Sequence, residues 1–89
     1  VRFTWTRETA FRGYSLRDEN GYARSIVTGP NLHEFYYGQV FAYGMPSEGP
    51  FLTPQEAADW VTGRLEAEDL VPEGSTFGPV PGDAERSAA

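Results

Sequence analysis

The feature that most constrains this chain is one amphipathic helix signature, Leu52 to Leu65, LTPQEAADWVTGRL. Thr53 suits an N-cap, because its hydroxyl can accept a bond from an orphan backbone N–H of the first turn. Pro54 follows at the first helical position, where a missing N–H costs nothing. Glu56 stands three residues after Thr53 and completes a capping box, and Leu52 and Ala57 are spaced for a hydrophobic staple. At about 100° per residue, Ala57, Ala58, Trp60, Val61 and Leu65 share one side, while Gln55, Glu56, Asp59, Gly63 and Glu66 share the other. A helix of roughly three to four turns with such a stripe draws its stability from packing. It requires a sheet to cover.

The residues before it supply that sheet. Phe3 and Trp5 alternate with Thr4 and Thr6, a period of two in β-favouring residues that predicts a first strand. Phe11 to Arg17 and Tyr22 to Thr28 predict a second and a third, joined by Asp18-Glu19-Asn20-Gly21. Asn-Gly favours a two-residue type I′ turn. That turn would set Glu19 against Tyr22, Arg17 against Arg24, Leu16 against Ser25 and Tyr14 against Val27. Opposed arginines repel, with Glu19 nearby to relieve them. Thr28-Gly29-Pro30-Asn31 reads as a turn. Phe35 to Tyr43, FYYGQVFAY, is a fourth strand with Tyr36 and Val40 on one face and Tyr37, Phe41 and Tyr43 on the other. Gly44 to Pro50 reads as a loop.

The expected fold is therefore α+β: an antiparallel sheet of three to four strands with one C-terminal helix packed on one face, in ββββα order. An 89-residue chain has room for one domain. Residues 1–71 form it, with Leu70 and Val71 tucking back, and residues 72–89, PEGSTFGPVPGDAERSAA after Val71, read as a disordered Pro/Gly-rich tail.

Charge is unevenly spread. Residues 1–24 carry five Arg against three acids, a net +2, and residues 25–89 carry two Arg against ten acids, a net −8, which together give the −6 of the chain. This acidic balance argues against nonspecific binding to nucleic acid or anionic membrane. All seven basic residues are Arg. A genome rich in GC codons and selection for bidentate contacts both account for this. No cysteine is present, so disulfides and thiolate metal sites are excluded. No apolar run approaches the roughly 20 residues of a membrane span, and the first residues lack the apolar core of a signal peptide. A cytoplasmic protein is the expectation.

No catalytic, metal or cofactor motif stands out. His33 is the single histidine and lacks partners at ligand spacing. No serine lies in a nucleophile-elbow context. Thirteen aromatics are many for one small sheet, so some of Tyr22, Tyr36, Tyr37 and Tyr43 must face outward. Exposed tyrosines beside arginines suit protein interfaces and also single-stranded bases.

The order of elements resembles that of several small phage and mobile-element proteins, some anti-CRISPR inhibitors among them. The resemblance is carried by the Asn20-Gly21 hairpin, the aromatic strand Phe35–Tyr43 and the helix start Thr53-Pro54-Gln55-Glu56-Ala57. The hairpin and helix start also resemble the HicB-type antitoxin fold. The resemblance implies an acidic inhibitor that occupies a nucleic-acid site on its target. The leading expectation is thus a non-enzymatic, acidic protein-binding module, an inhibitor of a host nucleic-acid-handling protein, with no cofactor. Its partner-binding residues are Glu56, Asp59 and Glu66 on the helix and Tyr22, Arg17, Arg24 and Tyr37 on the sheet. The alternative is a nucleic-acid-binding module using the Arg/Tyr sheet face. A homodimer is compatible with either.

Overall fold

The computed structural model describes residues 1–41 and 46–81. Along the chain run β1 (Arg2–Arg7), β2 (Gly13–Arg17), β3 (Ala23–Thr28), β4 (Tyr36–Val40), β5 (Glu48–Phe51), α1 (Pro54–Ala67) and β6 (Thr76–Phe77). The class is α+β. The sheet is larger than expected and mixed: six strands in the order β5-β4-β3-β2-β1-β6, with β6 parallel to β1 and all other pairs antiparallel.

Two strands escaped the sequence reading. β5 lies in the stretch expected to be a loop because it contains Gly49 and Pro50. Its place at a sheet edge explains why Pro is tolerated there, since an edge strand need not donate every N–H. β6 lies in the stretch expected to be a disordered tail. Gly78 N donates to Phe3 O at 3.1 Å, and Thr76 N donates to Val1 O at 3.0 Å. Phe77 stacks on Phe3 with ring centroids 5.3 Å apart. Val80 is fully buried, and its N–H donates to Gln55 Oε1 at 2.9 Å. The packed domain therefore extends past Val71 to at least Val80. Residues 82–89, and Ala42 and Tyr43 of the expected fourth strand, lie outside the described residues.

The register sorts side chains by face, because successive residues alternate. Trp5, Leu16, Ser25 and Val40 form one cross-strand row, and Arg7, Tyr14, Val27 and Gly38 form the next. With Phe3 and Tyr36, these rows build the face under the helix. Thr6, Ser15, Ile26 and Gln39 form a row on the opposite face, which no helix covers among the described residues.

The helix meets the sheet through Ala57, Ala58, Val61 and Leu65, all buried as the wheel predicts. Trp60 is half-buried beside them, its ring 6.3 Å from that of Phe51. Gly38 sits directly below. A Cβ there would stand 2.8 Å from Val61 Cγ2 and 3.0 Å from Trp60 Cε3, so only glycine permits this close approach. Thr53 Oγ1 caps the helix by accepting from Glu56 N at 3.1 Å. The return bond of the capping box reaches Leu52 N at 3.3 Å instead of the N-cap N–H. Leu52 is 70% exposed, so the expected staple does not form. The helix ends in a Schellman motif: Leu70 N donates to Leu65 O at 2.9 Å and Asp69 N to Glu66 O at 3.2 Å, with Asp69 at φ 53°. Of the expected final core contacts, Val71 packs on the core and Leu70 is exposed.

The β2–β3 hairpin differs from the two-residue expectation. Asp18 N donates to Tyr22 O at 3.1 Å, Gly21 N donates to Asp18 O at 3.0 Å, and Gly21 has the left-handed φ of 84°. This is a three-residue loop, a type I turn closed by a glycine bulge. Leu16 still pairs with Ser25 and Tyr14 with Val27, but the extra residue sets Arg17 opposite Ala23. The expected Arg17–Arg24 repulsion therefore does not arise from direct opposition.

Candidate functional site

The residues expected to bind a partner fall on two separate sides of the molecule. Glu56, Asp59 and Glu66 share the outward face of α1 and are all exposed. Glu56 Oε2 accepts from Leu52 N, and Asp59 Oδ1 accepts from Gln55 Nε2 at 2.9 Å. Glu68, Asp69 and Glu73 continue this acidity beyond the last turn, and all are exposed. Arg64 is the one cation on the helix, and it pairs with Glu68 at 3.4 Å. Among the described residues, no ion pair involves Glu56, Asp59 or Glu66. The helix thus presents negative charge outward without internal neutralisation.

Arg17, Arg24 and Tyr22 gather around the β2–β3 turn. Here the charges are consumed within the fold. Arg17 Nη2 pairs with Glu8 Oε1 at 2.7 Å, its Nε donates to Ser15 Oγ at 3.0 Å, and its Nη1 donates to Gly21 O at 2.7 Å. Ser15 Oγ also donates to Glu8 Oε1. Glu8 and Arg17 fold over Ser15, which explains why a serine on the uncovered face is 1% exposed. The bonds from Ser15 and Arg17 hold the Glu8 carboxyl below its ordinary value.

Arg24 Nε lies 3.3 Å from Asp18 Oδ2. Enclosure of the Asp18 carboxyl pushes its pKa up, but the N–H groups of Tyr22 and Asn20, with Arg24, outweigh this and lower it. Glu19, expected to relieve the arginines, instead accepts from Arg2 N at 2.9 Å. Tyr22 is 70% exposed at this end. Tyr37 is half-buried five residues further along the ladder, at the Thr28 row. At about 3.3 Å per residue this places it roughly 16 Å from the Arg17 row. It does not join the Tyr22 cluster.

The sequence reading missed Glu8 and Asp18 as the groups that neutralise the sheet arginines. Glu8 is nine residues from Arg17, and nothing in the sequence signals that its chain end turns back over β2. Among the described residues, no group of three or more His, Cys, Asp and Glu is placed to hold a metal, and no helix is long and apolar enough to cross a membrane. No family model, curated protein or solved structure matches the chain.

Proposed function

We propose that this protein is a non-enzymatic binding module that docks the outward face of α1 on a basic surface of a protein partner. The observation that carries the reading is the asymmetry of charge pairing. The sheet arginines Arg17 and Arg24 are held by Glu8 and Asp18, whereas Glu56, Asp59 and Glu66 project from a capped, firmly docked helix with no ion-pair partner among the described residues. An acidic, rigid, convex helix face complements a positively charged groove, which steers association and fixes register. Grooves of that kind are how nucleic-acid-handling proteins hold phosphate backbones. The module then acts as an inhibitor of phage or mobile-element type, working in the cytoplasm where such targets are found. The alternative, a nucleic-acid-binding module using the Arg/Tyr sheet face, is weakened because two of its cations are already paired.

The test is capture with two baits from the native host: the parent chain and Asp59→Lys/Glu66→Lys. Glu56 is left intact because it serves the helix start. A basic nucleic-acid-binding protein retained by the parent and lost from the double variant is the expected outcome. Identical captured sets would remove the acidic face from the account.

A further inference from the structure

A cleft of about 420 Å³ lies between α1 and the segment that carries β6, at one edge of the sheet. That volume falls within the range of sites for small groups, roughly 300–1,000 Å³. Gln55, Asp59 and Thr62 form its helix wall, and their spacing sets them on one stripe of α1. Phe77 and Pro79 line the facing wall, with Trp5 of β1 between. Both walls are pinned. Gly78 N donates to Phe3 O at 3.1 Å, and the Phe77 ring is stacked on that of Phe3. Val80 N donates to Gln55 Oε1 at 2.9 Å, and Gln55 Nε2 donates to Asp59 Oδ1 at 2.9 Å. One amide thus ties the segment after β6 to the helix and fixes the Asp59 carboxylate at the cleft.

The chemistry of the cleft suits a cation on an apolar stem. Asp59 is exposed and makes no ion pair among the described residues. An ionised carboxylate offers about four lone-pair sites, and Gln55 takes one of them. Thr62 Oγ1 donates its proton to Asp59 O at 3.2 Å, so its oxygen is left as an acceptor. On the facing wall the Gly78 N–H is committed to Phe3, and proline has no N–H to give. Phe77 is half-buried and Pro79 exposed, which leaves aromatic and apolar surface beside the carboxylate. A guanidinium pairs with a carboxylate in bidentate fashion and stacks on aromatic faces, while its methylene stem covers apolar surface.

We infer that this cleft takes an arginine side chain of the protein partner. The guanidinium pairs with Asp59 beside Thr62, and the stem lies over Phe77 and Pro79. The assignment rests on the reading of the α1 face as a docking surface and gives that surface one anchoring contact. The net charge of −6 favours entry of such a cation.

The experiment is an NMR titration of the full chain, following backbone amides. The probes are N-acetyl-arginine amide, the uncharged N-acetyl-citrulline amide and methylguanidinium, which lacks the stem. Saturable shifts at Asp59, Thr62, Phe77 and Gly78 are expected with the arginine probe, and binding at least about tenfold weaker with the other two. Asp59→Asn keeps an acceptor for Gln55, so it should weaken the arginine probe by at least about tenfold with an unchanged melting temperature. Glu48→Gln removes one charge at the opposite edge of the sheet and should bind within about twofold of the parent. The inference is overturned if the arginine probe gives no saturable shifts at about 50 mM, a level that would detect millimolar affinity. It is equally overturned if citrulline binds as tightly, if Glu48→Gln weakens binding as much as Asp59→Asn, or if the shifts arise from raising the concentration of the chain alone, which would make the occupant a second copy. Failure of the arginine probe while Asp59→Lys/Glu66→Lys still loses a captured partner removes the anchor and leaves the docking face. Arginine binding with identical captured sets keeps the cleft and removes the face.

Discussion

The strand half and the helix half of this molecule handle charge in opposite ways. Around β1–β3, each acid that matters is matched: Glu8 with Arg17 and Ser15, Asp18 with Arg24 and the turn amides. Along α1, the acids line an exposed stripe whose single cation is spent on Glu68. The first arrangement closes a fold and leaves little charge for a partner. The second contributes little to folding, since exposed pairs and charges alter stability by about 1 kcal/mol or less. The difference separates residues that hold the protein together from residues available to bind.

The most damaging way to break this contrast is to remove the strap that ties the two halves. A chain ending at Pro72 loses β6, the Phe77–Phe3 stack and the buried Val80. Burying such side chains is worth about 1.5–3 kcal/mol each when complete, so a loss near 3 kcal/mol is expected. At about 4–8 °C per kcal/mol for a domain of this size, the melting temperature should fall by more than about 10 °C. A truncated chain that melts with the parent would show that the strap adds nothing.

Next in size is Gly38→Val, which forces side-chain atoms into Val61, Trp60 and the Ala57 carbonyl. Overpacking of this kind costs about 1–3 kcal/mol, readable as a lower denaturation midpoint. Parent-like stability would mean that the helix is free to lift from β4.

Acid titration sharpens the strand side. Both the Glu8 and Asp18 carboxyls lie below their ordinary values of 4.5 and 3.8. A lowered folded-state value means the contribution is present above those pH values and is lost as pH falls through the lower, folded-state ones. Stability should drop on that acid limb, and Glu8→Gln with Asp18→Asn should flatten it. An unchanged slope would remove these two groups as its source.

The smallest effect belongs to the helix side. Asp59→Lys with Glu66→Lys should change stability by less than about 1 kcal/mol, measured by chemical denaturation. A larger loss would mean that these acids serve the fold after all.

Two of the β-hairpin turns, β2–β3 and β3–β4, show what was legible in the sequence and what was not. Both are built alike. Asp18 and Asn31 each accept two backbone N–H bonds with a side-chain oxygen, and each also takes part in the backbone bonds that close the loop. The left-handed position is Gly21 in the first and Glu34, at φ 64°, in the second. Asn20-Gly21 announced the first hairpin, although not its loop length, because Asn-Gly suits a two-residue loop as well as a glycine bulge. Glu34 announces nothing. The helix was legible from Thr53 to Leu65 because cap, proline and apolar spacing agree. β5 was not, because Gly49 and Pro50 are turn formers and pairing at a sheet edge overrides that propensity; β6 was not, because Thr76 and Phe77 make only a two-residue strand inside a Pro/Gly-rich stretch. The sorting of site residues was legible in part. Periodicity places Glu56, Asp59 and Glu66 on one face, but the pairing of Arg17 with Glu8 depends on how the chain folds back after β1.

The most direct test of the central claim is a comparison of dissociation constants for the captured partner across three proteins: the parent, Asp59→Lys/Glu66→Lys and Arg24→Gln. If the helix face is the docking surface, the double variant weakens binding by at least about tenfold, and Arg24→Gln stays within about twofold of the parent. Loss of binding in Arg24→Gln with parent-like affinity in the helix variant would contradict the account and move the interface to the sheet.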